Sequence, residues 1–159
     1  MNSSTWLRPL RASFLALALS GLGGGACAAA QAAPSLASAQ QTEAVILTRS
    51  ALLALDQANK TGNYTVLRDL GSSTFHANSA AKLSEVFADL RRQNVDMSAT
   101  LAQPLSFNPQ PAVDAKGLLR VAGAVPLGAR VLYFQIAWAR EAGAWRIYGI
   151  VVTASETTP

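Results

Sequence analysis

From Gly117 to Thr153 apolar residues recur at every second position, a pattern that only an antiparallel meander accommodates. Two-residue turns at Gly128-Ala129 and Ala142-Gly143 divide the run into three strands. One face then carries Leu119, Val121, Gly123 and Val125, followed by Leu132, Phe134, Ile136 and Trp138, and finally Trp145, Ile147, Gly149 and Val151. A slip of one residue would turn a whole strand inside out, so three agreeing patterns constrain the register tightly. That face holds no titratable side chain. Acid–base chemistry would have to come from other elements.

Ahead of the meander the apolar period is 3.6. Ala44, Leu47, Ala51, Leu55 and Ala58, widened by Val45 and Leu52, predict a helix from near Ser38 or Thr42 to about Asn59. Its alanines allow close approach to a sheet, and Glu43, Arg49, Asp56 and Lys60 lie off the apolar stripe. Lys60 to Asn63 ends it. Asn63 then caps a short helix through Tyr64, Val66, Leu67 and Leu70, with Gly71 expected as its C′ residue. Ser79 precedes a third helix, in which Leu83, Val86, Phe87 and Leu90 keep the i, i+3, i+4, i+7 spacing as far as Asn94. Leu105 to Asn108 predicts a first strand that Pro104, Pro109 and Pro111 confine to an edge. The expected fold is α+β, with three N-terminal helices packed on one face of a curved antiparallel sheet of about four strands. Gly123 and Gly149, mid-strand on the core face, predict a bend, a close helix approach or room for a small ligand.

The N-terminal segment reads as a leader peptide over residues 1–32. Arg8 and Arg11 precede the apolar run that begins at Ser13, and Ala30-Gln31-Ala32 provides a small-x-small cleavage site. Glycines 23 to 25 break that run short of the roughly 20 apolar residues a spanning helix needs. Export to the periplasm or the exterior is the expectation. Gly24-Gly25-Ala26-Cys27 resembles a lipobox but has Gly24 where a leucine belongs, so a lipid anchor at Cys27 is the lesser reading. Residues 33–40 predict a flexible leader, 41–154 a single domain and 155–159 a frayed tail. Without Cys27 the mature chain has no cysteine and forms no disulfide. Without Arg8 and Arg11, 11 basic residues stand against 9 acidic ones, a balance of +2. These basic residues are scattered, whereas nucleic-acid binders gather charge on one face, and no nucleic-acid partner is expected.

The opposite faces of the last two strands are also unusually apolar, carrying Val131, Tyr133, Ala137 and Ala139, then Tyr148, Ile150 and Val152, with Gln135 and Arg146 as the polar interruptions. A sheet face turned to water normally alternates with polar residues. A contiguous apolar patch marks a contact surface, here expected to pair two copies through Tyr133, Ala137, Tyr148, Ile150 and Val152. The alternative is that residues 95–112 or the mature N-terminus fold over it.

Three helices followed by such a meander resemble the nuclear-transport-factor-2-like (cystatin-like α+β) superfamily. The resemblance rests on Leu52 to Ala58, Asn63 to Leu67, Leu83 to Phe87 and the closing strand Gly143 to Ile150, and it spans roughly Gln41 to Thr153. It implies a cone between helices and sheet that in some members holds acids or hydrogen-bond donors, and in others binds without reacting. Here the sheet positions expected to face the cone are apolar, and no catalytic set carries over. The leading expectation is a non-catalytic domain holding a small apolar molecule or partner group among Tyr64, Phe87, Phe134, Ile136 and Trp138. One alternative is a small isomerase, dehydratase or hydrolase using His76, the only histidine, with Asp69 and Tyr64. Another is an envelope scaffold acting through its sheet face. One histidine, no mature cysteine and dispersed carboxylates give no metal-ligand spacing, and no cofactor is expected.

Overall fold

The computed structural model describes residues 36–157. The leader peptide, its cleavage after Ala32 and the lipobox at Cys27 lie outside the described residues. The fold is α+β, with helices followed by a curved, open antiparallel sheet. The long helix α1 (Leu36–Thr61) is followed by α2 (Thr65–Asp69), α3 (Ala80–Val86) and α4 (Ala88–Arg92), with 3₁₀ turns at Phe75–Ala77 and Met97–Leu101. The strands are β1 (Ser106–Phe107), β2 (Ala112–Val113), β3 (Leu119–Leu127), β4 (Arg130–Glu141) and β5 (Ala144–Glu156). The sheet order is β1-β3-β4-β5, and β2 also pairs with β3. Among the described residues, no helix is long and apolar enough to cross a membrane.

Local chemistry explains most boundaries. Gly62, at φ 73°, lets the chain turn after α1. Asn63 Oδ1 then accepts the Thr65 N–H (3.0 Å), and Ser79 Oγ accepts the Lys82 N–H at the start of α3 (3.1 Å). The expected third helix is broken in two at Phe87 (φ −97°, ψ 13°), which leaves Val86 exposed while Leu83, Phe87 and Leu90 are buried. Asn94, at φ 50°, ends α4. Gly71 is not the left-handed cap that was expected. It forms a parallel bridge to Ile147, and a Cβ there would collide with the Phe75 ring and the Arg68 carbonyl.

Both ends of the domain run further than expected. Residues 36–40 of the expected leader are helical. The expected tail is partly strand: Ser155 and Glu156 pair with Val131 and Arg130, and the Thr157 N–H reaches the Ala129 carbonyl (2.9 Å).

The β3–β4 hairpin has the expected register, Leu119 opposite Trp138 through Leu127 opposite Arg130. The β4–β5 pair does not. Trp138 faces Ile147 but Ala137 faces Gly149, so Tyr148 is an extra, bulged residue. Beyond it the faces exchange. Ile150, Val152 and Ala154 align with Ile136, Phe134 and Leu132 against the helices, whereas Gly149 and Val151 point outward. Val152 is 7% exposed and Val151 58%. The expected outer positions of Ile150 and Val152, and the inner positions of Gly149 and Val151, are thereby corrected.

The core gathers Leu52, Leu55 and Leu67 from the helices with Val121, Val125, Leu132 and Ile147 from the sheet. The two mid-strand glycines play opposite parts. A Cβ on Gly123 would overlap the Ser106 carbonyl and meet the Phe134 ring, so β1 can pair there only because that position is glycine. A Cβ on Gly149 would meet nothing within 4 Å. Gly123→Ala is therefore expected to lose about 1–3 kcal/mol through overpacking, and Gly149→Ala to be near neutral; urea unfolding of the two variants measures the contrast.

Candidate functional site

The five residues expected to line a cone are all interior. Tyr64 is 0% exposed, and Phe87, Phe134, Ile136 and Trp138 are buried with it. Tyr64 stacks on Phe87 with ring centroids 6.4 Å apart, and Phe107 meets the Phe134 ring edge-on at 6.2 Å. Five surface concavities of the described residues each touch at most one of these five side chains. These side chains fill the space between helices and sheet themselves.

The expected acid–base group is not assembled. The Tyr64 hydroxyl donates to Asn59 Oδ1 (2.6 Å) and accepts from Arg91 Nη1 (2.9 Å), so it is committed inside the fold. His76 is exposed in the first 3₁₀ turn, and its carbonyl accepts from Arg68 Nη2 (3.3 Å). Asp69, also exposed, lies 3.9 Å from Arg68 Nη1. Among the described residues, no hydrogen bond joins His76, Asp69 and Tyr64 to one another. No group of three His, Cys, Asp or Glu side chains there could hold a metal ion.

Two carboxylates that sequence reasoning did not single out organise the structure instead. Asp56 is completely buried: Oδ1 accepts the Met97 N–H (3.0 Å) and Oδ2 the Lys60 ammonium (2.8 Å). Lys60 also reaches Asp96 Oδ1 (2.8 Å), and hydrogen bonds from Lys60 and Ser98 hold the Asp96 carboxyl down to about 2. The i,i+4 spacing of Asp56 and Lys60 was the available sequence signal. Glu141, at the end of β4, accepts the N–H (3.0 Å) and Oγ–H (2.9 Å) of Ser73. Those bonds, with the neighbouring charges of His76 and Arg146, lower its pKa from the ordinary glutamate value.

The outer face of the sheet is different in kind. Tyr133 (50% exposed), Tyr148 (42%) and Val151 (58%) stand on it beside Ala122 and Gly149. Ala137 lies among them, between Arg120 and Gly149 in the pairing. Two shallow concavities of about 390 and 410 Å³ adjoin there and share Ala122, Gln135 and Val151. The second 3₁₀ turn packs on α1, and β1 and β2 pair along the edge of β3. Pro109, Gln110 and Ala112 help line the first concavity, and Ser106 and Asn108 the second.

Asp56→Ala is expected to cost about 1–3 kcal/mol by orphaning the buried Met97 N–H, whereas Asp56→Asn, which keeps an acceptor, should lose less in the same denaturation assay. Glu141 should contribute stability above its unfolded value near 4.5 and lose it as pH falls through the lower folded value. The Tm gap between the native chain and Glu141→Gln at pH 7 should therefore narrow progressively below pH 4.5. Comparison with known proteins returns no match, whether to a family model, a curated protein or a solved structure.

Proposed function

We propose that this chain is an exported, non-catalytic domain of the nuclear-transport-factor-2-like kind, a scaffold that works by pairing the outer face of its sheet with a second copy. The observation that carries the reading is that outer face, where Tyr133, Tyr148 and Val151 project into solvent with no described element across them. An exposed apolar patch of this sort on an antiparallel sheet is a contact surface. The patch supplies both ridges and hollows, the tyrosines beside the concavities that share Ala122 and Gln135. A surface of that kind can complement itself about a two-fold axis, as an isologous dimer requires. The filled interior weighs against a ligand held in the cone. The positions of His76, Asp69 and Tyr64 weigh against catalysis by that trio. Export rests on the basic start at Arg8 and Arg11, the apolar run and the Ala30-Gln31-Ala32 site.

Sedimentation of the processed chain at roughly 100 µM should give a dimer, since self-association is favoured by concentration. Val151→Glu and Tyr148→Glu, both at exposed positions, should give monomers with an unchanged circular dichroism spectrum. A monomeric native chain, or dimers that survive both substitutions, would overturn the reading.

A further inference from the structure

The middle of the outer sheet face is laid out in cross-strand rows. Ala122, Gln135 and Val151 pair across β3, β4 and β5 as one row, and these are the residues that the two concavities share. To one side lies the row Arg120, Ala137 and Gly149, and to the other the row Ala124, Tyr133 and Thr153. The first of these is low, since Ala137 and Gly149 line the concavity of about 390 Å³. The second is high, with Tyr133 standing 50% exposed. A hollow and a ridge therefore flank the central row at equal distance along the strands.

A two-fold pairing of sheet faces has its axis in the plane between them, and a residue on the axis meets its own copy. Size limits where that axis can lie. With strands about 4.8 Å apart and a rise of about 3.3 Å per residue, the nine residues of β3 and the strands beside it offer roughly 15 by 30 Å. Two such footprints bury on the order of 1,000 Å², about the least that a specific interface needs. The faces must then overlap almost completely. Moving the axis one row along the strands, about 6.6 Å, displaces the copies by about 13 Å and removes roughly two-fifths of the overlap. Charge acts in the same direction. An axis on the first row would set Arg120, already held by Asp114 at 2.8 Å, against a second Arg120. An axis on the Tyr133 row, or one running along β4, would set Tyr133 on Tyr133.

We propose that the two-fold axis runs across the strands along Ala122, Gln135 and Val151, so that Tyr133 of each copy enters the other's hollow over Ala137 and Gly149. This rests on the pairing of outer faces proposed above and defines the partner surface as a second copy turned end for end. Ridge meets hollow twice, once on each side of the axis. Arg120 falls opposite Ala124, and no like charges meet. Gln135 faces its own copy, and a side-chain amide, donor and acceptor at once, closes a reciprocal pair of hydrogen bonds there. A single polar group at the centre of an apolar contact specifies register, as a lone core asparagine does in coiled coils.

The test is sedimentation of the processed chain and its variants across roughly 1–500 µM, with circular dichroism as the check on folding. Ala137→Tyr blocks the hollow against the incoming ring and should weaken the dimer about tenfold or more, and Tyr133→Ala, which leaves the hollow empty, about tenfold. The double variant Tyr133→Ala/Ala137→Tyr exchanges ridge and hollow, and should return to within about threefold of the native dimer. An axis along β4 predicts no such rescue. Should Ala137→Tyr fail to fold, Ala124→Glu decides instead: it sets a carboxylate opposite the partner's Arg120 and should tighten the dimer about threefold at low salt. A native chain that stays monomeric overturns both this register and the pairing it rests on. A dimer in which the double variant shows no rescue, or in which Ala124→Glu brings no tightening where it is the deciding variant, overturns the register and leaves the pairing standing.

Discussion

The extra residue at Tyr148 decides what both faces of this sheet are made of. Before it, Trp145 and Ile147 follow the phase set by the hairpin, and Ile147 enters the core. After it, the phase shifts by one, so Ile150 and Val152 go inward and Val151 comes out. Without the bulge, Val151 and Gly149 would face the helices. The core would then lose Val152 opposite Phe134, and Gly149 would stand opposite Ile136 in place of Ile150. A β-bulge is a local kink with a strengthened twist, and here it interrupts the longest strand pair. The bulge thus decides which of the apolar residues after Tyr148 enter the core and which stand on the outer face.

The interior is sealed by polar groups as much as by packing. Asp56 reaches out of α1 to fix the start of the second 3₁₀ turn, and Asn59, one turn further along, holds the Tyr64 hydroxyl. The helix therefore presents two buried acceptors to the segments that must fold back on it, and each takes a single donor from its partner segment. Breaking either bond leaves an unsatisfied group in a low-dielectric interior, the costly half of hydrogen-bond energetics. With Tyr64 tied down and stacked on Phe87, the ring closes the space a ligand would need. The same commitment that builds the fold removes Tyr64 from the chemistry a sequence reader would offer it.

What could be read from the chain follows from where the information is local. The two hairpin turns were legible because Gly128 and Gly143 sit at positive φ and the flanking alternation is long. The Ser79 cap and the Asn63 bond to Thr65 were legible for the same reason. The bulge was not, because period-2 reasoning has no term for an inserted residue: Tyr148-Gly149-Ile150-Val151-Val152 is apolar in either phase. Asp56 was assigned to the wetter side of its helix by its charge. Its burial depends on Lys60 and on the Met97 N–H, and Met97 is 41 residues away. His76 and Asp69 looked like partners because they are near in sequence, but exposure and the competing Arg68 separate their roles. The outer face was legible as an apolar surplus, and two of the five members expected on it, Ile150 and Val152, pack on the helix side instead.

The proposed pairing of copies face to face has to compete with the edge that β5 offers. β5 is the last strand in the order β1-β3-β4-β5, and a long unpaired edge invites strand addition. The chain answers this along the length of the strand. Near Ile147 the edge is already occupied: the Ser72 N–H donates to the Ile147 carbonyl (2.8 Å), and the Ile147 N–H donates to Leu70 (3.0 Å). The bulge at Tyr148 follows at once and interrupts the regular ladder a second copy would have to match. From Ile150 to Ala154, residues of α3 and α4, among them Val86 and Asp89, flank the strand and border a shared hollow. Each device costs the edge some of its capacity to template another strand. In the proposed dimer, association would then fall to the flat of the sheet, where side-chain fit sets the register that an open ladder would leave free to slip.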